Sequence, residues 1–251
     1  MKIKTLNLLT FLMKIKTLNL LTFLIVFARP ALATEIKEDF STDPFDKFSP
    51  RWICEVPKGN YEAFWTSGVF SPIQLGQNAA NLPEPPADAV YFFGEGDYLL
   101  LREEKLPSNP RYSVSADFQI LGDEVGDIAV GIIFNHRSEE KTVVTLHVGG
   151  DGKTAWMGSL NSGAPQYAGN PIELGFWYRL TVWIAREGGE SVVNAEVTRV
   201  DDGTPMRQGF EGRVSDPTDA GDAGVGLQID LSNGHAWTRA VVVDNFVSTA
   251  Q

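Results

Sequence analysis

Cysteine is nearly absent from the sequence. Cys54 stands alone, so no internal disulfide can form and the fold has to be held by burial and hydrogen bonding. Basic residues are also few: 21 lysines and arginines face 32 acidic residues, for a formal charge of −11. Five of those 21 basic residues, and none of the acidic ones, fall in the first 33 positions, which leaves about −16 on the remainder. Phosphate polyanions repel such a chain, which argues against nucleic acid and anionic membranes as partners. Long hydrophobic runs are confined to the first 33 residues. Helical periodicity is almost missing after residue 34, which disfavours bundles and α/β folds.

The leading segment reads as a cleaved signal peptide. "MKIKTLNLLTFL" occurs twice in tandem, at 1–12 and 13–24, followed by "IVFARPALA". Each copy supplies a basic start and an apolar run, and Ala31-Leu32-Ala33 fits a small-x-small cleavage site. The charged second MKIK interrupts the hydrophobicity, so neither stretch reaches the roughly 20 residues that span a bilayer. A start at Met13 would by itself give a normal signal. The expectation is a secreted or periplasmic protein whose single domain covers 34–251.

Beyond the leader the chain is strand-like. Runs at 89–96, 97–104, 111–120, 127–136, 141–150, 176–186, 191–200, 223–231 and 239–247 are separated by turn residues. "SEEK", "GGDGK", "REGGE" and "DDGT" each join two runs through residues that tolerate tight backbone. Short strands at hairpin spacing without helices predict an all-β fold, an antiparallel two-layer sandwich or barrel. Alternation sorts the faces: Leu180, Val182 and Ile184 oppose Trp177, Arg179, Thr181 and Trp183, while Val144, Leu146 and Val148 oppose Val143, Thr145 and His147. A face carrying Thr145, His147, Arg179 and Trp183 would be a polar-aromatic platform for a ligand; the plainer alternatives are a surface histidine at 147 and a peripheral core residue at Trp183. Trp177, beside a strand start, is assigned to the core. Trp65, Trp156, Tyr167 and Trp237 are expected in or near loops, where aromatics that touch ligands tend to occur.

Several pieces occur in a telling order. "EDFSTD" is followed by "FWTSGVF", then "YSVSADFQI…AVGIIFNH", "LGFWYRLTVWIA" and finally "GVGLQI…VVVDNFV". This series, with Gly175-Phe176-Trp177-Tyr178-Arg179-Leu180 as its most characteristic member, resembles the concanavalin A-like jelly-roll superfamily, which includes laminin G-like lectin domains and several glucanases. The resemblance implies a jelly-roll β-sandwich whose first and last strands lie side by side. It also implies a structural Ca²⁺ between them, held by Asp39 (or Glu38), the Gly68 carbonyl and Asp244, oxygen ligands of the kind this hard ion prefers. The plainer alternative is that Asp39 and Asp244 sit at solvated strand ends or accept hydrogen bonds from backbone amides. Asp216, Asp219 and Asp222 lack the order of a calcium loop and read as solvated.

Catalytic signatures are scarce. Glucanases of that superfamily carry paired carboxylates on one central strand, spaced for acid and nucleophile. Here the corresponding residues are Val143-Val144-Thr145-Leu146-His147, with no acid, and the Gln-x-His of related lyases is missing too. There is no G-x-S-x-G and no H-E-x-x-H. "GGDGKT" and "GEGDYL" lack a required glycine of the phosphate-loop and dinucleotide motifs. The leading expectation is therefore a non-catalytic, carbohydrate-binding lectin-like domain. The alternative is a divergent hydrolase or lyase, similar to the 3-keto-disaccharide hydrolases, with His147 as acid-base group and carboxylates from Glu95, Asp97, Asp123 or Glu124. An adhesion module that recognises protein is a third reading.

Overall fold

A computed structural model describes residues 35–40, 52–55, 61–66, 89–94, 96–106, 111–122, 128–137, 140–149, 155–159, 166–167, 171–187, 189–201, 210–215, 223–231 and 239–250. The chain divides into two units, Met1–Ala33 and Thr34–Gln251, and every described residue belongs to the second. Among them are fifteen strands and no helix. In chain order these are β1 (Glu35–Glu38), β2 (Trp52–Glu55), β3 (Tyr61–Thr66), β4 (Ala89–Gly94), β5 (Gly96–Leu106), β6 (Arg111–Gly122), β7 (Ile128–Arg137) and β8 (Glu140–Val148). They continue as β9 (Ala155–Ser159), β10 (Gln166–Tyr167), β11 (Trp177–Glu187), β12 (Glu190–Arg199), β13 (Phe210–Ser215), β14 (Ala223–Leu231) and β15 (Arg239–Ala250).

Two antiparallel sheets result. One has eight strands in the order β13-β12-β11-β6-β15-β4-β3, with β1 also paired to β15, and the other has seven, β10-β9-β8-β7-β14-β5-β2. All nine predicted runs are strands. The first and last strands are neighbours, as expected, with Glu38 opposite Phe246.

One continuous core fills the space between the sheets, because both inner faces are apolar. Val114, Ala116, Phe118, Leu180, Val182 and Ile184 come from the eight-stranded sheet; Val130, Ile132, Val144, Leu146, Leu227 and Ile229 come from the other. Trp177 departs from expectation: it is half-buried and outside this core, since the adjacent Tyr178 takes the inward position and stacks on Phe118 at 5.7 Å.

"VVVDNFV" shows how an acid can follow three valines. Val241 and Val243 point into the core, and simple alternation would then turn Phe246 outward. A register shift between Asp244 and Val247 inserts an extra residue, with Asn245 in the left-handed region at φ 49°, and Phe246 returns to the core. Asp244 holds that bulge: Asn245 N–H donates to its Oδ1 at 2.6 Å, and Asn245 Nδ2 donates to its Oδ2 at 3.0 Å.

A second bulge, in β7, turns Asn135 (φ 52°) into the interior. There its Oδ1 accepts from Tyr112 Oη at 2.5 Å and from Arg186 Nη2 at 2.7 Å, and its Nδ2 donates to Ser191 Oγ at 3.0 Å. All three partners belong to the eight-stranded sheet, so Asn135 ties the layers together.

Candidate functional site

The outer face of the seven-stranded sheet carries a polar cluster built by strand register. Core-facing Ile128, Val130 and Ile132 leave Ala129 and Gly131 on the other side of β7. Gly131 stands between Thr145 on β8 and Gln228 on β14; Ala129 stands between His147 and Asp230. The geometry around Gly131 agrees with that assignment. A Cβ added there would meet Thr145 Oγ1 at 3.3 Å, Gln228 Cβ at 3.4 Å and Val143 Cγ1 at 2.9 Å. The result is a shallow trough along β7, floored by two residues with little or no side chain and flanked by Thr145 and His147 on one side, Gln228 and Asp230 on the other. It is closed at the Gly131 end, where Val143 packs over the glycine and Thr145 is buried, and accessible at the His147–Asp230 end.

Register extends the His147 row in both directions. Trp156 on β9 lies opposite His147, Tyr167 on β10 lies opposite Trp156, and Asp97 on β5 lies opposite Asp230. Trp156, Tyr167 and Trp65 all lie at or next to the ends of short strands, in keeping with the expectation that they stand in or near loops. Trp237, Glu95, Asp123 and Glu124 lie outside the described residues. Gln228 and Asp230 were missed in the sequence, although the alternation of Leu227, Gln228, Ile229, Asp230 and Leu231 carries the signal.

Electrostatics set the state of His147. Partial burial pushes its pKa below the usual 6.5, and the negative charge of Asp230 works in the opposite direction. The ring is accordingly neutral near pH 7, with one nitrogen to donate and one to accept. Because the folded pKa is depressed, this group's contribution to stability is present above pH 6.5 and is lost as pH falls through the folded value. The melting temperature is expected to drop between pH 7.5 and 5, and His147→Gln should reduce that drop. Differential scanning fluorimetry across this range checks it, and an equal drop in both proteins would refute it.

The other two predicted ligand residues are elsewhere. Arg179 and Trp183 lie on β11, in the eight-stranded sheet, with their neighbours Tyr178, Leu180, Val182 and Ile184 facing the core. The single platform of Thr145, His147, Arg179 and Trp183 therefore does not form; the four are split between opposite outer faces of the sandwich. Alternation along each strand identifies the outward side but not the sheet to which the strand belongs. Arg179 is also engaged: its Nε donates to Asp117 Oδ1 at 2.6 Å and its Nη2 to Asp117 Oδ2 at 2.8 Å. Those hydrogen bonds push its pKa further up and hold the guanidinium charged, against the opposing effect of burial.

Of the calcium ligands inferred from the resemblance, Gly68 lies outside the described residues and Asp39 is exposed beside β1. Glu38 is withdrawn from such a role. Its Oε2 accepts from Arg102 Nη1 at 2.9 Å and its Oε1 from Phe40 N–H at 3.2 Å, in the interior. Asp244 accepts from Asn245 through both oxygens, and the Asp117–Arg179 pair is its neighbour in register. Among the described residues, no three acidic, histidine or cysteine side chains converge as a metal site.

No family model and no curated protein matches the sequence. Solved structures do match the fold. A protein of unknown function from Shewanella oneidensis MR-1 superposes with a TM-score of 0.55 at 10% identity, covering 87% of this chain and 86% of the other. Lectin I from Ulex europaeus, solved with the methyl glycoside of α-L-fucose, gives 0.52 at 8% identity, covering 86% of this chain and 97% of the lectin. A xylan β-1,4-xylosidase from Bacillus halodurans C-125 gives 0.51 at 13% identity, covering 85% of this chain but 38% of the enzyme. At such identities the shared property is architecture alone: this chain has a concanavalin A-like β-sandwich fold.

Proposed function

We propose that the protein is exported and binds carbohydrate without transforming it, through the trough on the outer face of the seven-stranded sheet. The observation that carries this reading is the quartet Thr145, His147, Gln228 and Asp230 around the Ala129–Gly131 floor. A hydroxyl, a neutral imidazole, an amide and a carboxylate together offer donors and acceptors to vicinal sugar hydroxyls. The half-exposed His147, Gln228 and Asp230 are the members of the quartet that a sugar reaches first, since Thr145 is buried beside Gly131. The fold is also that of a lectin solved with a fucoside, which supports the reading by analogy.

Affinity electrophoresis through gels containing plant, algal or bacterial polysaccharides tests it. Retention is expected, and Asp230→Ala combined with Gln228→Ala should weaken it about tenfold or more, as loss of hydrogen bonds to a charged and a neutral group implies. An unretarded wild-type protein on every polymer would sink the proposal. Running the gels with calcium and again with chelator also tests the proposed Asp39–Asp244 calcium clasp, which calls for weaker retention or a lower melting temperature after chelation.

A second reading is favoured by one feature. Asp97 lies opposite Asp230, with His147 two strands from Asp230, so a hydrolase or lyase could draw an acid and a base from this row. Release of reducing ends or unsaturated products, abolished by His147→Ala, would replace binding with catalysis.

A further inference from the structure

The other outer face holds a feature that the trough does not use. Trp183 sits near the middle of the eight-stranded sheet and is 37% exposed, an unusual exposure for so large an apolar side chain. Among the described residues its indole makes no hydrogen bond and no ring contact. Its cross-strand neighbours are Asn194 on β12 and Ser113 on β6, and Thr249 on β15 continues the row beyond Ser113. Thr181 precedes it by two on the same face, with Ser115 opposite Thr181. Every one of these side chains is short or uncharged, so the indole stands clear of its surroundings.

We propose that this face is a second saccharide site, where Trp183 stacks against a pyranose of an uncharged polysaccharide. The indole offers a broad apolar surface to the C–H face of the sugar ring. Neighbouring strands lie about 4.8 Å apart, and same-face residues along one strand about 6.8 Å. Asn194, Ser113, Thr181 and Ser115 therefore surround the indole at distances where their amide and hydroxyl groups meet hydroxyls on the rim of a stacked ring.

Charge selects the class of polymer. The closest ionised neighbours, Glu196 and Arg111, stand at opposite diagonals through their partners Thr181 and Ala185, and their charges offset. The next in the row is another acid, Glu211, opposite Asn194. With a formal charge of −11 on the whole chain, a uronate-rich or sulfated chain is repelled, whereas a neutral one carries no such cost. The site does not depend on the trough, which occupies the opposite face of the sandwich.

Pull-down on insoluble uncharged polysaccharides, regenerated cellulose and an insoluble β-glucan, measures it. The wild type, Trp183→Ala and Trp183→Tyr would be compared, each also in a His147→Ala/Gln228→Ala background that disables the trough. Trp183→Ala is expected to weaken binding about tenfold, equivalent to about 1.4 kcal/mol, while Trp183→Tyr keeps most of it. The trough-disabled background should retain part of its binding and lose it with Trp183→Ala. The inference is overturned if the wild type binds no uncharged polymer, if Trp183→Ala binds like the wild type, or if disabling the trough removes all binding.

Discussion

Replacing Arg102 with alanine is expected to destabilise the protein by about 3–5 kcal/mol, the usual consequence of stranding one member of a buried ion pair. Arg102 on β5 and Glu38 on β1 belong to different sheets, and their side chains are only 1% and 2% exposed. The guanidinium also lies 4.9 Å from the ring centroid of Trp52, which packs edge-on against Phe246 at 5.1 Å and stacks with Phe40 at 6.0 Å. Its removal therefore leaves a carboxylate without its cation and opens a void beside the aromatic cluster that joins the two chain ends. For a domain of this size the melting temperature should fall by roughly 10 °C or more. A double change, Arg102→Met with Glu38→Leu, should recover much of the loss, because no buried charge remains. A single variant that melts within about 2 °C of the wild type would mean the pair contributes little to the clasp.

Gly226→Ala is expected to cost about 3 kcal/mol or more, the upper range for overpacking. Gly226 on β14 is paired with Ile133 on one side and Leu101 on the other, next to a register shift shared by both ladders. A Cβ there would run into the carbonyl oxygen of Leu100 and approach Leu101 Cα at 3.1 Å. Both obstacles are backbone atoms in a hydrogen-bonded strand, so relief requires breaking the β14–β5 ladder. Gly131→Ala is the control. There the closest atom is Val143 Cγ1 on a side chain that can give way, and the loss in melting temperature should be clearly smaller. Thermal denaturation of both variants decides the matter; equal losses would show that the backbone obstruction at Gly226 is not what counts.

Much of the architecture was legible in the chain. Nine strand runs, the inward sets on β8 and β11 and the pairing of first and last strands all follow from period-two alternation, turn residues and resemblance. The short strands β1, β2, β3, β9, β10 and β13 were not identified as strand runs, a first strand beside the last being implied only by the resemblance. Four to six residues at most, or two in the case of Gln166–Tyr167, carry too little alternation to stand out from a loop. The bulges at Asn135 and Asn245 reverse the parity of a strand midway, which a fixed period cannot anticipate.

The candidate site divides along a physical line. The order of amino acids was enough to tell which side of each strand faces away from the main core, because side chains alternate with a period of two. Thr145, His147, Arg179 and Trp183 were on that side from the start, although Thr145 is buried there beside a second apolar cluster of Leu101, Ile133 and Val143. Which strands are neighbours was settled in three dimensions. Pairing is a long-range choice made by the packing of two sheets, and it separated Trp183 from His147 while bringing Gln228 and Asp230 to opposite sides of β7 from Thr145 and His147.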